Sequence, residues 1–153
     1  MKVFISHKKE DSVQALLLKM AFERNSVEAY LDVLDNSINL GGKELTEHIK
    51  NQLNSCTDII VIMSDKTKDS WWVPFEIGMS AQVDMPTATF LSGDVLLPSY
   101  LSYWPRLKTT EDVKKYVSVR KRVSAEIMSR YGMSSRKKEE VHLFYETLKR
   151  ELR

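Results

Sequence analysis

Cysteine is all but missing from this chain. Cys56 is the only one in 153 residues, so no internal disulfide can form and a cysteine-rich structural metal site is excluded. A reducing, cytoplasmic compartment is the natural expectation. Long apolar runs are missing too: no window holds 18 consecutive apolar residues, and the one at the N-terminus is too short for a signal-peptide core. The chain is therefore expected neither to span a membrane nor to be exported by that route. Glycine-rich phosphate cradles of the Gly-x-Gly-x-x-Gly or Walker type do not occur. The three histidines, His7, His48 and His142, lie far apart, so no metal-ligand cluster is legible. With no repeat, low-complexity tract or linker, the length suits a single domain over 1–153, burying roughly two thirds of the surface its unfolded chain would expose.

What is present is an ordinary globular balance, 42% hydrophobic and 29% charged, which should fold without a staple. The net charge is only +2, but it is unevenly divided. Residues 1–105 hold nine Lys/Arg against fourteen Asp/Glu, and residues 106–153 hold fourteen against seven. The clusters Arg120-Lys121-Arg122 and Arg136-Lys137-Lys138 could attract nucleic acid or acidic partners, although such runs are more often solvated helix faces. Nucleic-acid binding is not expected.

Periodicity alternates along the chain. Val3-Phe4-Ile5 reads as a strand, followed by a polar loop from Ser6 to Asp11 and by Val13, Leu16, Leu17 and Met20 at helical spacing. Val27 to Leu34 predicts a second strand, and Asp35 to Gly42 a long loop. Leu45, Ile49 and Leu53 mark an amphipathic helix. The unbroken run Ile59-Ile60-Val61-Ile62-Met63 suits a central parallel strand buried on both faces. Ser70 can cap the next helix, with Pro74 tolerated in or near its first turn. Thr87 to Leu91 supplies a fourth strand. After Pro98 the pattern weakens, then becomes helical at Val113, Tyr116, Val117, Val123, Ile127 and Tyr131, until Gly132 breaks it. Val141, Phe144, Leu148 and Leu152 form a last stripe, so 110–153 reads as a helical extension packed on the body or on a partner. Alternating strands and helices imply right-handed crossovers, a parallel sheet covered on both sides, and ligands at the carboxyl ends of the strands.

Three segments, in this order and spacing, resemble a Toll/interleukin receptor (TIR) domain of the bacterial type. They are Val3-Phe4-Ile5-Ser6-His7 with Glu10-Asp11, then Asp35 through Gly42, and Ser70-Trp71-Trp72-Val73-Pro74-Phe75-Glu76. The last contains the family's Trp-x-x-x-Glu pattern at Trp72 and Glu76, four residues apart and so on one face of a helix. In the second, Gly41-Gly42-Lys43 stands where members commonly carry Pro-Gly-Asp. The resemblance covers roughly the first 90 residues. It implies a three-layer, flavodoxin-like parallel sheet of about five strands.

Many members with that glutamate cleave NAD+ between nicotinamide and ribose, releasing ADP-ribose or cyclising it. The resemblance thus nominates Glu76 as catalytic. Ser6, His7, Asp35 and Trp72 become candidates for binding the substrate, NAD+ being a substrate here and not a redox cofactor. Each has a plainer alternative: an exposed glutamate near a helix N-terminus for Glu76, core packing for Trp72, local capping for Ser6 and His7, and an ordinary surface loop for Asp35. Gly41-Gly42 would help a flap close over the pocket. Members are frequently active only when self-associated. A stand-alone signal producer of an anti-phage system such as Thoeris, feeding a downstream effector, is the leading expectation. A non-catalytic interaction module is the alternative.

Overall fold

The computed structural model describes residues 1–31, 41–67, 70, 72–97, 99–132 and 136–153, with Trp72 and Tyr100 described by backbone alone. Five strands form one parallel sheet: β1 (Lys2–Ser6), β2 (Glu28–Leu31), β3 (Asp58–Met63), β4 (Thr87–Leu91) and β5 (Arg106–Leu107). Their order is β2-β1-β3-β4-β5. Among the described residues five α-helices accompany them: α1 (Ser12–Arg24), α2 (Gly42–Asn54), α3 (Trp72–Gln82), α4 (Asp112–Tyr131) and α5 (Lys137–Glu151). None of the described helices is long and apolar enough to cross a membrane.

The alternation of side chains along each strand divides the core in two. Val3, Ile5, Ile60 and Ile62 point to one face, where Leu18 and Phe22 of α1, Tyr116 and Val119 of α4, and Phe144 and Leu148 of α5 cover them. Phe4, Ile59, Val61 and Met63 point to the other, covered by Ile49 and Leu53 of α2 and Val73 and Ile77 of α3. All six residues of β3 are buried, as its unbroken apolar run predicts for a central strand. Gly132 ends α4 at φ +64°, where a side chain would be strained, so the break at this position has a backbone cause.

Two elements differ from what their sequences suggest. Residues 106–107 form the fifth strand, an edge too short for any two-residue period to register. In α1, the stripe Val13, Leu16, Leu17 and Met20 faces solvent, with exposures of 68, 52, 51 and 40%. Ala15, Leu18, Ala21 and Phe22 face the core instead. The helix is apolar on two sides, and only the packed structure says which side the sheet takes.

Candidate functional site

In this strand order the connection from β1 leaves to one side and the connection from β2 returns to the other. The topological switch point lies between the carboxyl ends of β1 and β3, the place where open parallel sheets commonly bind ligands. Ser6 is the last residue of β1, in register with Val61 of β3. The helix after β3, α3, starts at Trp72 with the Ser70 hydroxyl accepting from the Val73 N–H at 3.3 Å, the expected cap. Val73, Glu76, Ile77 and Ser80 are its buried positions, spaced i, i+3, i+4, i+7 along one inward stripe. Glu76 thus belongs to the face that packs on the sheet.

The outcome is a carboxylate only 2% exposed, beside the end of β1. Ser6, fully buried, donates its hydroxyl proton to Glu76 Oε2 in a hydrogen bond between residues 70 positions apart. An exposed helix glutamate is therefore not what this residue is. Burying a carboxylate is unfavourable unless hydrogen bonds hold it, and at this place in the fold such a group can face positive charge developing on a ligand.

A second polar unit braces the same end of the sheet. Asp11, 3% exposed at the start of α1, accepts a hydrogen bond from the Ser64 hydroxyl at 2.7 Å, and Thr67 Oγ1 lies 3.2 Å from the same carboxylate oxygen. The Ser64 N–H donates to Thr67 Oγ1 at 2.9 Å. The loop after β1 and the loop after β3 are tied together through these three side chains. Asp11 belongs to a motif quoted above, yet its spacing gives no sign of a partner 53 residues away.

His7 follows Ser6 and is half-buried, its Nδ1 3.4 Å from the Ile5 carbonyl oxygen, a local backbone contact. Lys8 reaches the Lys66 carbonyl at 3.3 Å and pairs with Glu10 at 3.5 Å, on the rim. Trp72 opens α3, but its side chain, like the whole of Asp35, lies outside the described residues. Gly41 has φ −62° and ψ 157°, angles open to any residue, and Gly42 begins α2. In this conformation the glycine pair is not required by the backbone. Among the described residues no group of three His, Cys, Asp or Glu side chains could hold a metal ion.

Comparison with known proteins agrees with this architecture. Residues 3–126 match the family model described as TIR domain. The sequence matches no curated protein. One similar solved structure comes from work on a 2-deoxyribosyltransferase of the psychrotolerant bacterium Bacillus psychrosaccharolyticus. It covers 76% of this chain and 92% of its own, with a TM-score of 0.62 at 15% identity, a likeness of fold alone. The match from residue 3 to residue 126 takes in residues of every strand of the sheet and the whole of α1, α2 and α3, and by it the chain belongs to the TIR domain family.

Proposed function

We propose that this TIR domain cleaves NAD+ at the bond between nicotinamide and ribose, with Glu76 as its catalytic residue. The observation that carries the reading is the burial of Glu76 against Ser6 at the carboxyl end of β1. A module that only bound other proteins would not need a carboxylate withdrawn from solvent at the ligand crevice.

Nicotinamide leaves as a neutral molecule from a cationic ring. The bond from the sugar's anomeric carbon to the ring nitrogen breaks, its electron pair stays with nicotinamide, and positive charge passes to the sugar. No proton need be supplied to the leaving group, so one carboxylate does what ordinary glycoside hydrolysis divides between two. Glu76 stabilises the growing charge and holds ribose hydroxyls, most strongly where water is excluded. Water then adds and loses a proton to give ADP-ribose, or an adenine or ribose atom of the same substrate closes a ring. We assign the reaction to bacterial anti-phage defence, with a downstream effector sensing the product. The likeness to a deoxyribosyltransferase concerns the fold, and the reading does not rest on it.

The direct test is to incubate concentrated protein with NAD+ and resolve nicotinamide and the second product by chromatography and mass spectrometry. Release of nicotinamide supports the reading, and the mass and retention of the other product separate hydrolysis from cyclisation. No release in any assembled state favours the interaction module.

Ser6 is a positioning residue in this scheme. Ser6→Ala removes one donor to a charged acceptor, and turnover is expected to fall about 10- to 100-fold. The fall should appear in kcat more than in KM, because the carboxylate is misplaced while the crevice remains. A fall confined to KM would make Ser6 a binding group instead.

The outward stripe of α1 favours activity in an assembled state. Four large apolar side chains on one exposed helix face mark a contact surface, and we assign it to a second copy of this chain. Leu16→Lys with Leu17→Lys is expected to lower the mass in solution by light scattering and to reduce NAD+ turnover at equal concentration. Both positions are about half exposed, so folding stability should change by no more than about 1 kcal/mol. An unchanged mass would remove α1 from the assembly.

A further inference from the structure

In the two dense basic clusters of the sequence, the three arginines are paired with carboxylates. Arg120 Nε donates to Asp58 at 2.7 Å and its Nη1 to Glu140 at 2.8 Å. Arg122 pairs with Glu151. Arg136 pairs with Glu139 at 3.0 Å and stacks over the Tyr131 ring at 4.4 Å.

Unpaired cations gather elsewhere, from segments the sequence separates. Arg106 on β5, Lys108 just after it, Lys149 in the last turn of α5 and Arg153 beyond that helix line one cleft of about 270 Å³, together with Ser102, Trp104 and Leu152. This lining has no acidic side chain, and none of the four cations forms an ion pair with a described residue. Lys149 is held in place: half-buried, it donates to the Tyr103 carbonyl at 2.5 Å and sits 5.6 Å from the centre of the Tyr103 ring. Burial, and then the charge of Arg106, push its ammonium below the usual lysine range. A second cleft of about 450 Å³ shares Lys149 and Arg153 with the first and adds Arg150. Its one acidic side chain, Glu146, lies 3.4 Å from His142.

We propose that this cleft binds a phosphoryl polyanion, a di- or triphosphate group held among Arg106, Lys108, Lys149 and Arg153. Gathered positive charges without counter-charges repel one another, and a polyanion relieves that repulsion. Two planar guanidinium forks and two point-charge ammoniums suit the oxygens of linked phosphates. Charge on an edge strand also keeps other strands from pairing with it, but that role calls for neither convergence nor a cleft. The cleft lies on the β5 edge, with β4 between it and β3, and owes nothing to Glu76.

The test is calorimetric titration of the full chain with inorganic tripolyphosphate, and at matched ionic strength with sulfate and with a single-stranded oligonucleotide. Wild-type protein should bind tripolyphosphate more tightly than sulfate. Arg106→Ala with Arg153→Ala should weaken tripolyphosphate at least about tenfold. Lys114→Ala with Lys137→Ala, the same charge removed from exposed positions elsewhere, should leave it within about twofold. All four side chains are exposed and lack ion partners among the described residues, so unfolding temperature should confirm an intact fold. Oligonucleotide binding lost together with tripolyphosphate binding would support the site and identify a nucleic-acid backbone as the source of the phosphate. Equal weakening by both variant pairs, no tripolyphosphate binding, or oligonucleotide binding indifferent to Arg106 and Arg153 would overturn the proposal.

Discussion

Glu76→Gln is expected to abolish nicotinamide release, lowering NAD+ turnover by about 10²- to 10³-fold or more. The substitution keeps the shape of the side chain and leaves an amide oxygen able to accept from the Ser6 hydroxyl, so the contact between β1 and α3 can persist. What it removes is the negative charge. The ribose develops positive charge only as nicotinamide departs, so an interaction with that charge is stronger in the transition state than in the bound substrate, and its loss falls on kcat. The control is a melting curve, which should match wild type within a few degrees. Turnover unchanged in a folded Glu76→Gln protein would remove this residue from the chemistry, whatever its burial.

The largest effect on stability is expected at the opposite end of the sheet. Asp58, fully buried at the start of β3, accepts hydrogen bonds from the Thr57 hydroxyl at 2.6 Å, the Tyr116 hydroxyl at 2.9 Å and Arg120 Nε at 2.7 Å. Arg120 continues to Glu140 and lies over the Phe144 ring at 5.3 Å, so this carboxylate joins β3, α4 and α5. Burial first, and then the neighbouring Asp58 charge, hold the Tyr116 hydroxyl neutral far above the usual tyrosine range. Asp58→Ala would leave a guanidinium and a hydroxyl without their shared partner, at a cost of about 3–5 kcal/mol and a drop in melting temperature on the order of 10 °C. Adding Arg120→Met should recover part of this, because the guanidinium N–H left without an acceptor then goes too. NAD+ turnover per folded molecule should not change, since Asp58 and Glu76 lie at opposite ends of β3. A loss below about 1 kcal/mol would mean that water takes the place of the carboxylate.

Much of this was legible in order along the chain. The apolar run 59–63 suited a central strand buried on both faces, and the stripes from Leu45 and Val141 read as helices with one covered side, as the structure has them. The spacing of Trp72 and Glu76 set them on one face of a helix, and the resemblance to the TIR family nominated Glu76 as catalytic and Ser6 as a substrate contact. Burial of Glu76 was not legible. Ser6 and Glu76 meet only because β1 and β3 are neighbours, which depends on a crossover made 20 residues and more after Ser6. The same holds for Asp11 with Ser64 and Thr67, a contact across 53 and 56 positions that no local period carries.

The sequence by itself determined the kind of protein: an α/β domain without disulfides, its element types set by periodicity and its family by three motifs between residues 3 and 76. Local rules suffice for that, since a residue's preference for helix or strand acts over a turn or two. Tertiary structure decided which faces and which charges are used. It turned the outward stripe of α1 to solvent, although both sides of that helix are apolar. It made a strand of Arg106–Leu107 because β4 offered an edge to pair with. It paired Arg120 and Arg122 with carboxylates while bringing Arg106, Lys108, Lys149 and Arg153 together with no ion partner among the described residues. Charge and hydrophobicity are properties of residues, but pairing and burial belong to neighbours, and neighbours far apart in sequence exist only once the chain has folded.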